Sequence, residues 1–391
     1  MIIDFFQDTS IKNKSLKTIY NLILQSGPIS KIDITEKTKM SRNKVDRLVE
    51  KLLEDDLIIN RGLGESIGGR PPILFQINEC HSYIIGINIS RSYTNVALFN
   101  LSIKPIESTS FPMTKIHTPE VVIGEVKRII RGLLKKHNLS IEHILGIGIG
   151  SVAPLDPNKG VIINPEQFLA AEWINVPIVE ILNEEFPTHY ILEATANVSV
   201  YGAYKSTSFR FNNILYFISG WFSGAGVIID GKLTFPNKNG GHDYNHMIIE
   251  PNGKPCKCGK RGCLFTYTSL FSLLEEIKER FPNFESTIDI SSVPEILQFI
   301  EEEYDELQDI LLQSAKYLGI GLANLATILH SDQIVLNGPL INRFDDYFNH
   351  VLQSIRNHHS NSSIYISKAS DDGMFEVSGV ASLLFDTLYK L

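Results

Sequence analysis

The chain has 391 residues, 43% of them hydrophobic, and carries 36 Lys and Arg against 44 Asp and Glu, a net charge of −8. That length can bury more than one core, so two or three domains are expected. The acidic balance excludes a protein that is basic throughout, and no apolar run approaches the ~20 residues that cross a bilayer. The N-terminus has no basic stretch followed by an apolar one, so no leader peptide is read. Of four cysteines, three fall in one cluster, and a reducing cytoplasm is the expected compartment. The charge is uneven: residues 1–80 hold 12 Lys and Arg against 11 Asp and Glu, and the remainder 24 against 33. An acidic body repels nucleic acid, so any DNA contact is expected from the N-terminal segment.

Residues 15–25 place Leu16, Ile19, Tyr20, Ile23 and Leu24 at helical spacing, and Gly27-Pro28 ends the run. Ser30 caps a second, short helix, and Ser41 caps a third that reaches residue 54. The third helix has an apolar face of Val45, Leu48, Val49 and Leu52, and its start carries Arg42, Asn43, Lys44, Asp46 and Arg47. Helix, short helix, turn, helix is the order of a helix-turn-helix, whose third helix lies in the major groove. Arg, Asn and Lys donors suit guanine, adenine and phosphate there. Residues 57–59 and 73–77 read as two strands around a loop whose tip is Gly68-Gly69-Arg70-Pro71. A glycine pair ahead of Arg-Pro can lay an arginine into a narrow minor groove. Residues 1–79 are therefore expected to form a winged helix-turn-helix that sets Ser41, Arg42, Asn43, Lys44, Arg47, Gly69 and Arg70 against a double-stranded DNA operator.

Farther on, residues 83–89 and 95–99 read as a hairpin of apolar strands and 123–137 as an amphipathic helix. Residues 144–150 form a buried strand ending in glycines, followed by a helix at 179–186 and a strand at 190–193. This order is half of an α/β domain with a mixed sheet. Between His246 and Cys263 the spacing is C-x-C-x4-C, with the histidine ten residues before Cys256. Cys256 and Cys258 are too close for an easy disulfide, and the glycines at 259 and 262 let the chain bring Cys263 round. His246, Cys256, Cys258 and Cys263 make a Cys3His set, a closed tetrahedral zinc site with no position left for water, hence structural. Helices are expected at 270–281, 292–302, 307–329, 345–357 and 378–389, with a strand at 333–336. Gly379 and Ala381 make the last helix fit for close packing. No internal repeat stands out.

Together these features resemble the ROK family of repressors and sugar kinases. The resemblance is carried by Gly68-Gly69-Arg70-Pro71-Pro72, Gly146-Ile147-Gly148-Ile149-Gly150, His246, the C-x-C-G-x-x-G-C run at 256–263, and residues 319–324. It implies an α/β, two-lobed, actin-like (RNase H-like) domain with the ligand cleft between lobes. Lobe 1 would span 80–198, completed by 377–391, and lobe 2 would span 199–376. In the family, members with an added winged helix are transcriptional repressors, mostly of carbohydrate genes, and members without it are sugar kinases.

Several family positions are altered here. The family's Glu-Asn-Asp-Ala-Asn becomes Glu193-Ala194-Thr195-Ala196-Asn197, replacing the aspartate base by a hydroxyl that cannot accept a proton near neutral pH. Its Asp-x-Gly becomes Asn88-Ile89-Ser90, its Gly-rich phosphate loop becomes Gly220-Trp221-Phe222-Ser223-Gly224-Ala225-Gly226, and a later Gly-Gly becomes Asn337-Gly338. The sugar-contacting Gly-Glu-x-Gly-His becomes His242-Asp243-Tyr244-Asn245-His246, and Phe265 replaces a glutamate. Asn197, Asp243 and His246 remain as ligand candidates. Trp221, Phe222 and Phe265 either stack on a sugar ring or fill a collapsed cleft. The expectation is a repressor without kinase chemistry, a homodimer or tetramer on a palindromic site, answering to a sugar-like effector. The alternatives are an ATP-dependent sugar kinase with an added module and a regulator that needs no ligand.

Overall fold

The first helix, α1 (Ile2–Gln7), was not legible in the sequence; it buries Ile2 and Phe6 against distant parts of the chain. The structure is a computed structural model that describes all residues except 1, 9, 66–70, 166–167, 208, 235–243, 285–287, 290, 360–362, 370–372 and 390–391. Next comes α2 (Ile11–Ser26), started by Ser10, whose hydroxyl accepts the Asn13 amide. After β1 (Ile29–Ser30) comes α3 (Lys31–Thr38), which opens with a reciprocal capping box between Ser30 and Asp33. A turn with Lys39 at φ 56° leads into α4 (Arg42–Glu54), which buries Val45, Leu48, Val49 and Leu52 as its spacing requires. Then β2 (Ile58–Leu63) and β3 (Ile73–Ile77) pair antiparallel, and β1 joins them in the order β1-β3-β2.

The body follows in two rounds. The first contains β4 (Tyr83–Ile89), β5 (Tyr93–Asn100), β6 (Pro105–Pro112), α5 (Pro119–Lys136), β7 (Ile144–Ser151), the small pair β8 (Leu155–Asp156) and β9 (Val161–Ile162), α6 (Ile178–Asn183), β10 (His189–Ala194) and α7 (Thr195–Ser206). The second contains β11 (Ile214–Ser219), β12 (Ser223–Ile229), β13 (Lys232–Leu233), α8 (Phe265–Thr268), α9 (Leu270–Arg280), α10 (Val293–Glu302) and α11 (Tyr304–Leu329). It closes with β14 (Gln333–Asn337), α12 (Pro339–Arg343), α13 (Asp345–His358), β15 (Tyr365–Lys368) and α14 (Met374–Leu388).

The two rounds have the same wiring. The sheets run β10-β7-β4-β5-β6 and β15-β14-β11-β12-β13. In each, three strands form an antiparallel meander, and two later strands add in parallel to its first strand. The helix after each last strand crosses to the other sheet: α7 packs on β11 and β12, and α14 packs on β4 and β7. The two helices cross each other on the way. A Cβ on Gly379 would lie 1.9 Å from the Val198 carbonyl oxygen, and one on Gly202 would lie 2.1 Å from that of Phe375. The contact thus repeats with the helices exchanged. Gly86 on β4 and Gly226 on β12 seat the helices on their sheets in the same way, facing Val377 and Ala196 backbone.

The N-terminal segment does not hang on a linker. Phe6, Ile19, Tyr20 and Ile23 share one core with Ile84 and Phe99 of the first sheet and with Leu384, Phe385, Leu388 and Tyr389. Phe6 meets Phe385 and Tyr389 edge to face at 5.3 and 5.0 Å between centroids, an arrangement that adds to the burial itself.

Alanine is the better helix former by roughly 1 kcal/mol over glycine, so the sign of a Gly→Ala change reports the space available. Gly379→Ala is expected to destabilise the protein by about 1–3 kcal/mol through overpacking. Gly132→Ala, on α5 with nothing within 4 Å of the added carbon, is expected to stabilise it by ~0.5–1 kcal/mol. Urea unfolding of both variants checks the pair, and a harmless Gly379→Ala would mean that the helices do not cross here.

Candidate functional site

Three regions hold the side chains that the sequence singles out. The first is the loop from His246 to Cys263. Its backbone doubles back through bridges between Ile248 and Cys263 and between Pro255 and Arg261. Gly262 has φ +72°, and a Cβ there would lie 1.8 Å from the Glu250 carbonyl oxygen, so only glycine fits. The result brings His246, Cys256, Cys258 and Cys263 together with all four ligand atoms within 4.8 Å of one another. Cys256 Sγ lies 3.4 Å from His246 Nδ1, and Cys258 Sγ lies 3.7 Å from Cys263 Sγ. A tetrahedron with metal–ligand bonds of ~2.1–2.3 Å has edges of roughly 3.4–3.8 Å, so the cluster has the donors and the size to hold a metal ion. Cys256 and Cys263 are buried and Cys258 is exposed. Burial pushes the Cys263 thiol up to about 12 and also raises Cys256, whereas the Lys260 backbone N–H lowers Cys258.

The second region lies between the two sheets, at the start of α7. The Glu193 carboxylate is buried and accepts hydrogen bonds from the Ala194 amide at 2.8 Å and from Asn197 Nδ2 at 3.0 Å. Asn197 is therefore engaged inside the protein. Thr195 Oγ1 donates to Asn88 Oδ1 at 3.1 Å, and Asn88 is fully buried. The two positions to which the family resemblance assigns carboxylates thus face each other as a neutral hydrogen-bonded pair. Two carboxylates at that separation would repel, and one would be held protonated; the Asn–Thr pair avoids this and offers no proton acceptor. Ser90 is folded into its own turn, its hydroxyl donating to the Tyr93 carbonyl at 2.7 Å.

The stretch expected as a phosphate loop, 220–226, is a tight turn that enters β12, with Ser219 opposite Ser223 and Ile218 opposite Gly224. Gly226 is occupied by the seat of α7, not by an open approach for a ligand. Trp221 lies under the Arg91 guanidinium at 3.9 Å. Phe222 stacks on Phe265 at 5.5 Å and 13°, and on Phe271 at 6.1 Å and 11°. Phe265 is 2% exposed and packs with Cys256 and Cys263. Of the two uses open to these rings, Phe265 takes the core one. His246 turns its Nδ1 to the cysteines, and Asp243 lies outside the described residues.

The third region is the exposed start of α4. Ser41, Arg42, Asn43, Lys44 and Arg47 are all exposed, and the Ser41 side chain caps no backbone amide. Asp46 does not belong with them: it pairs with Lys31 at 3.1 Å and ties α3 to α4. The face is therefore more basic than its sequence suggests. The hairpin β2–β3 stands beside it, with the Gly64 amide donating to the Pro72 carbonyl at 2.8 Å. Gly69 and Arg70 lie outside the described residues.

Comparison with known proteins places these features in context. The family model described as ROK family matches residues 84–384. The xylose repressor of Bacillus spizizenii is 27% identical over 341 residues, 86% of this chain and 85% of its own length. Among solved structures, a ROK family transcriptional regulator described as a homolog of the E. coli MLC protein superposes with a TM-score of 0.76 at 19% identity, over 96% of this chain and 97% of its own. The ROK hexokinase from Thermus thermophilus gives 0.63 at 21% identity, over 76% of this chain and 96% of its own. At these identities the two structures speak for the fold: a mixed α/β body of the kinase type.

The Asn88–Thr195 bond can be tested alone. Thr195→Val keeps the shape and leaves a buried acceptor unmet, so it is expected to lower stability by about 1–3 kcal/mol. Equal urea midpoints for variant and parent would show that the bond is not made.

Proposed function

The chain belongs to the ROK family, and on that premise we propose that it is a DNA-binding transcriptional repressor of carbohydrate-related genes that has lost kinase chemistry. One observation carries this reading: an exposed, basic helix start at Arg42, Asn43, Lys44 and Arg47 on a compact unit of four helices and a three-stranded sheet. That unit, residues 1–79, is the reading head, a winged helix-turn-helix. The N-terminal turn of α4 enters the major groove, where the Ser41 hydroxyl and the uncapped amides meet phosphate and the arginines meet base edges. Gly69 and Arg70, at the tip of the wing, reach the adjacent minor groove.

The body, with lobe 1 at 80–198 plus 377–391 and lobe 2 at 199–376, dimerises, so that two heads meet two half-sites. Support for the absence of kinase activity comes from the Asn88–Thr195 pair, which has no group that titrates near neutrality, and from the turn at Trp221–Phe222. His246, Cys256, Cys258 and Cys263 hold a structural zinc ion, whose chemistry there is to fasten the loop; all four positions are filled by side chains. A sugar-like effector enters between the lobes near Asn197, Asp243 and His246. Its binding changes the lobe angle, and the head moves with the first sheet because both share one core.

The decisive experiment is footprinting of the purified protein on genomic DNA, followed by release with a panel of sugars. On a footprinted fragment, Arg47→Ala is expected to weaken binding by about 1–3 kcal/mol and relax specificity where it reads a base; Lys44→Ala is expected to weaken binding evenly and flatten the salt dependence. Fluorescence anisotropy at several salt concentrations checks this, and unaltered affinity in both variants would remove α4 from the DNA. Cys263→Ser is expected to lose both zinc and thermal stability. Because burial holds the Cys263 thiol up at about 12, the metal must displace its proton, so zinc content is expected to fall as pH is lowered. Metal analysis after dialysis across a pH series, beside a melting curve, tests both statements.

A further inference from the structure

The turn between β4 and β5 and the turn between β11 and β12 occupy equivalent places in the two sheets. They also touch. Arg91, in the first turn, lays its guanidinium 3.9 Å over the ring of Trp221, in the second. We infer that Arg91 and Trp221 form a latch that holds the two halves of the body together without any ligand, in the space where a kinase of this fold would hold nucleotide phosphates.

Three observations support a built contact over a chance one. Arg91 is 8% exposed, so its charge has been taken out of water; burial lowers the guanidinium to about 10, which leaves it cationic at neutral pH. A desolvated cation over indole is the strong form of the cation–π contact. Trp221 is held from behind: its carbonyl and that of Gly220 accept the Phe271 and Leu270 amides at the start of α9, and the Phe271 ring meets it edge-on at 6.2 Å. Arg91 is held by its own turn, in which Ser90 Oγ bonds the backbone of Tyr93 on both its carbonyl and its amide. The backbones of both turns are therefore fixed before they meet, and little backbone freedom is lost on closing. Among the described residues, the crossing of α7 and α14 joins the halves at one level and this pair joins them at another.

The test needs no DNA, so its failure is separable from failure of the repressor proposal. Trp173 is the other tryptophan, buried, with its indole N–H donated to the His117 carbonyl. In a Trp173→Phe background, Trp221 alone emits. Arg91→Gln is expected to shift the open-to-closed ratio by roughly thirtyfold, the size of one desolvated cation–π contact. It is read as higher iodide quenching of Trp221 and a larger radius of gyration in solution scattering. Unchanged quenching and unchanged scattering overturn the latch. If Arg91→Gln folds poorly, a cycle of Arg91→Lys, Trp221→Leu and the double variant decides it by melting. Coupling between the two positions supports the latch, and additive effects overturn it.

Discussion

The structure depends on two helices being allowed to touch backbone to backbone. Gly202 on α7 and Gly379 on α14 face the carbonyls of Phe375 and Val198, four residues before Gly379 and Gly202 respectively, so each helix offers the other the same notch. Any side chain at either notch would push the helices apart and unseat both from the sheets beneath them. Since α7 comes from the first sheet and packs on the second, and α14 does the reverse, neither sheet is covered by its own round of chain alone. The two halves are interlocked through that crossing.

The crossing helices reach both the interior of the body and the N-terminal segment. The first turn of α7 carries Thr195 to Asn88, and the far end of α14 carries Phe385 and Tyr389 to Phe6 and Tyr20 of the N-terminal segment. That end is closed tightly. Lys17 is almost fully buried, donates a hydrogen bond from its ammonium to the Phe6 carbonyl at 2.6 Å and accepts the Tyr389 hydroxyl on its own carbonyl at 2.9 Å. Desolvation lowers the Lys17 ammonium, and the Tyr389 ring 5.8 Å from it returns part of what water supplied. One of the crossing helices thus reaches the interior of the body at its start, and the other fastens the N-terminal segment at its finish.

What could be read from the sequence was local. The Cys3His cluster is written in the spacing of three cysteines, a histidine and two glycines within eighteen residues, and the fold brings those four side chains together. The helices α2 to α4 were legible because the Leu16–Leu24 spacing, the Ser30 cap and the Val45–Leu52 stripe obey rules that involve a few neighbours only. The duplicated wiring was not legible, because the two rounds share an arrangement of strands and not a pattern of residues. For the same reason the part that Gly226 plays in seating α7 did not show: a glycine that seats a helix and a glycine that admits a phosphate look alike until the neighbour across the gap is known. Asp46 sat with the basic face in sequence and belongs to Lys31 of another helix. Helix α1 escaped because six residues are too few for a period to show.

The closed joint at Phe6, Tyr20, Phe385 and Tyr389 bears on how the proposed dimer would meet a duplex. A head on a swivel can search for its half-site after the first one is gripped. A head welded to its body cannot, so the pair behaves like the prongs of a plug, with their separation machined in. Half-sites placed out of phase would be held by one prong at a time, however good their sequence. Spacing on the DNA, more than the match of either half, then becomes the quantity such a protein measures.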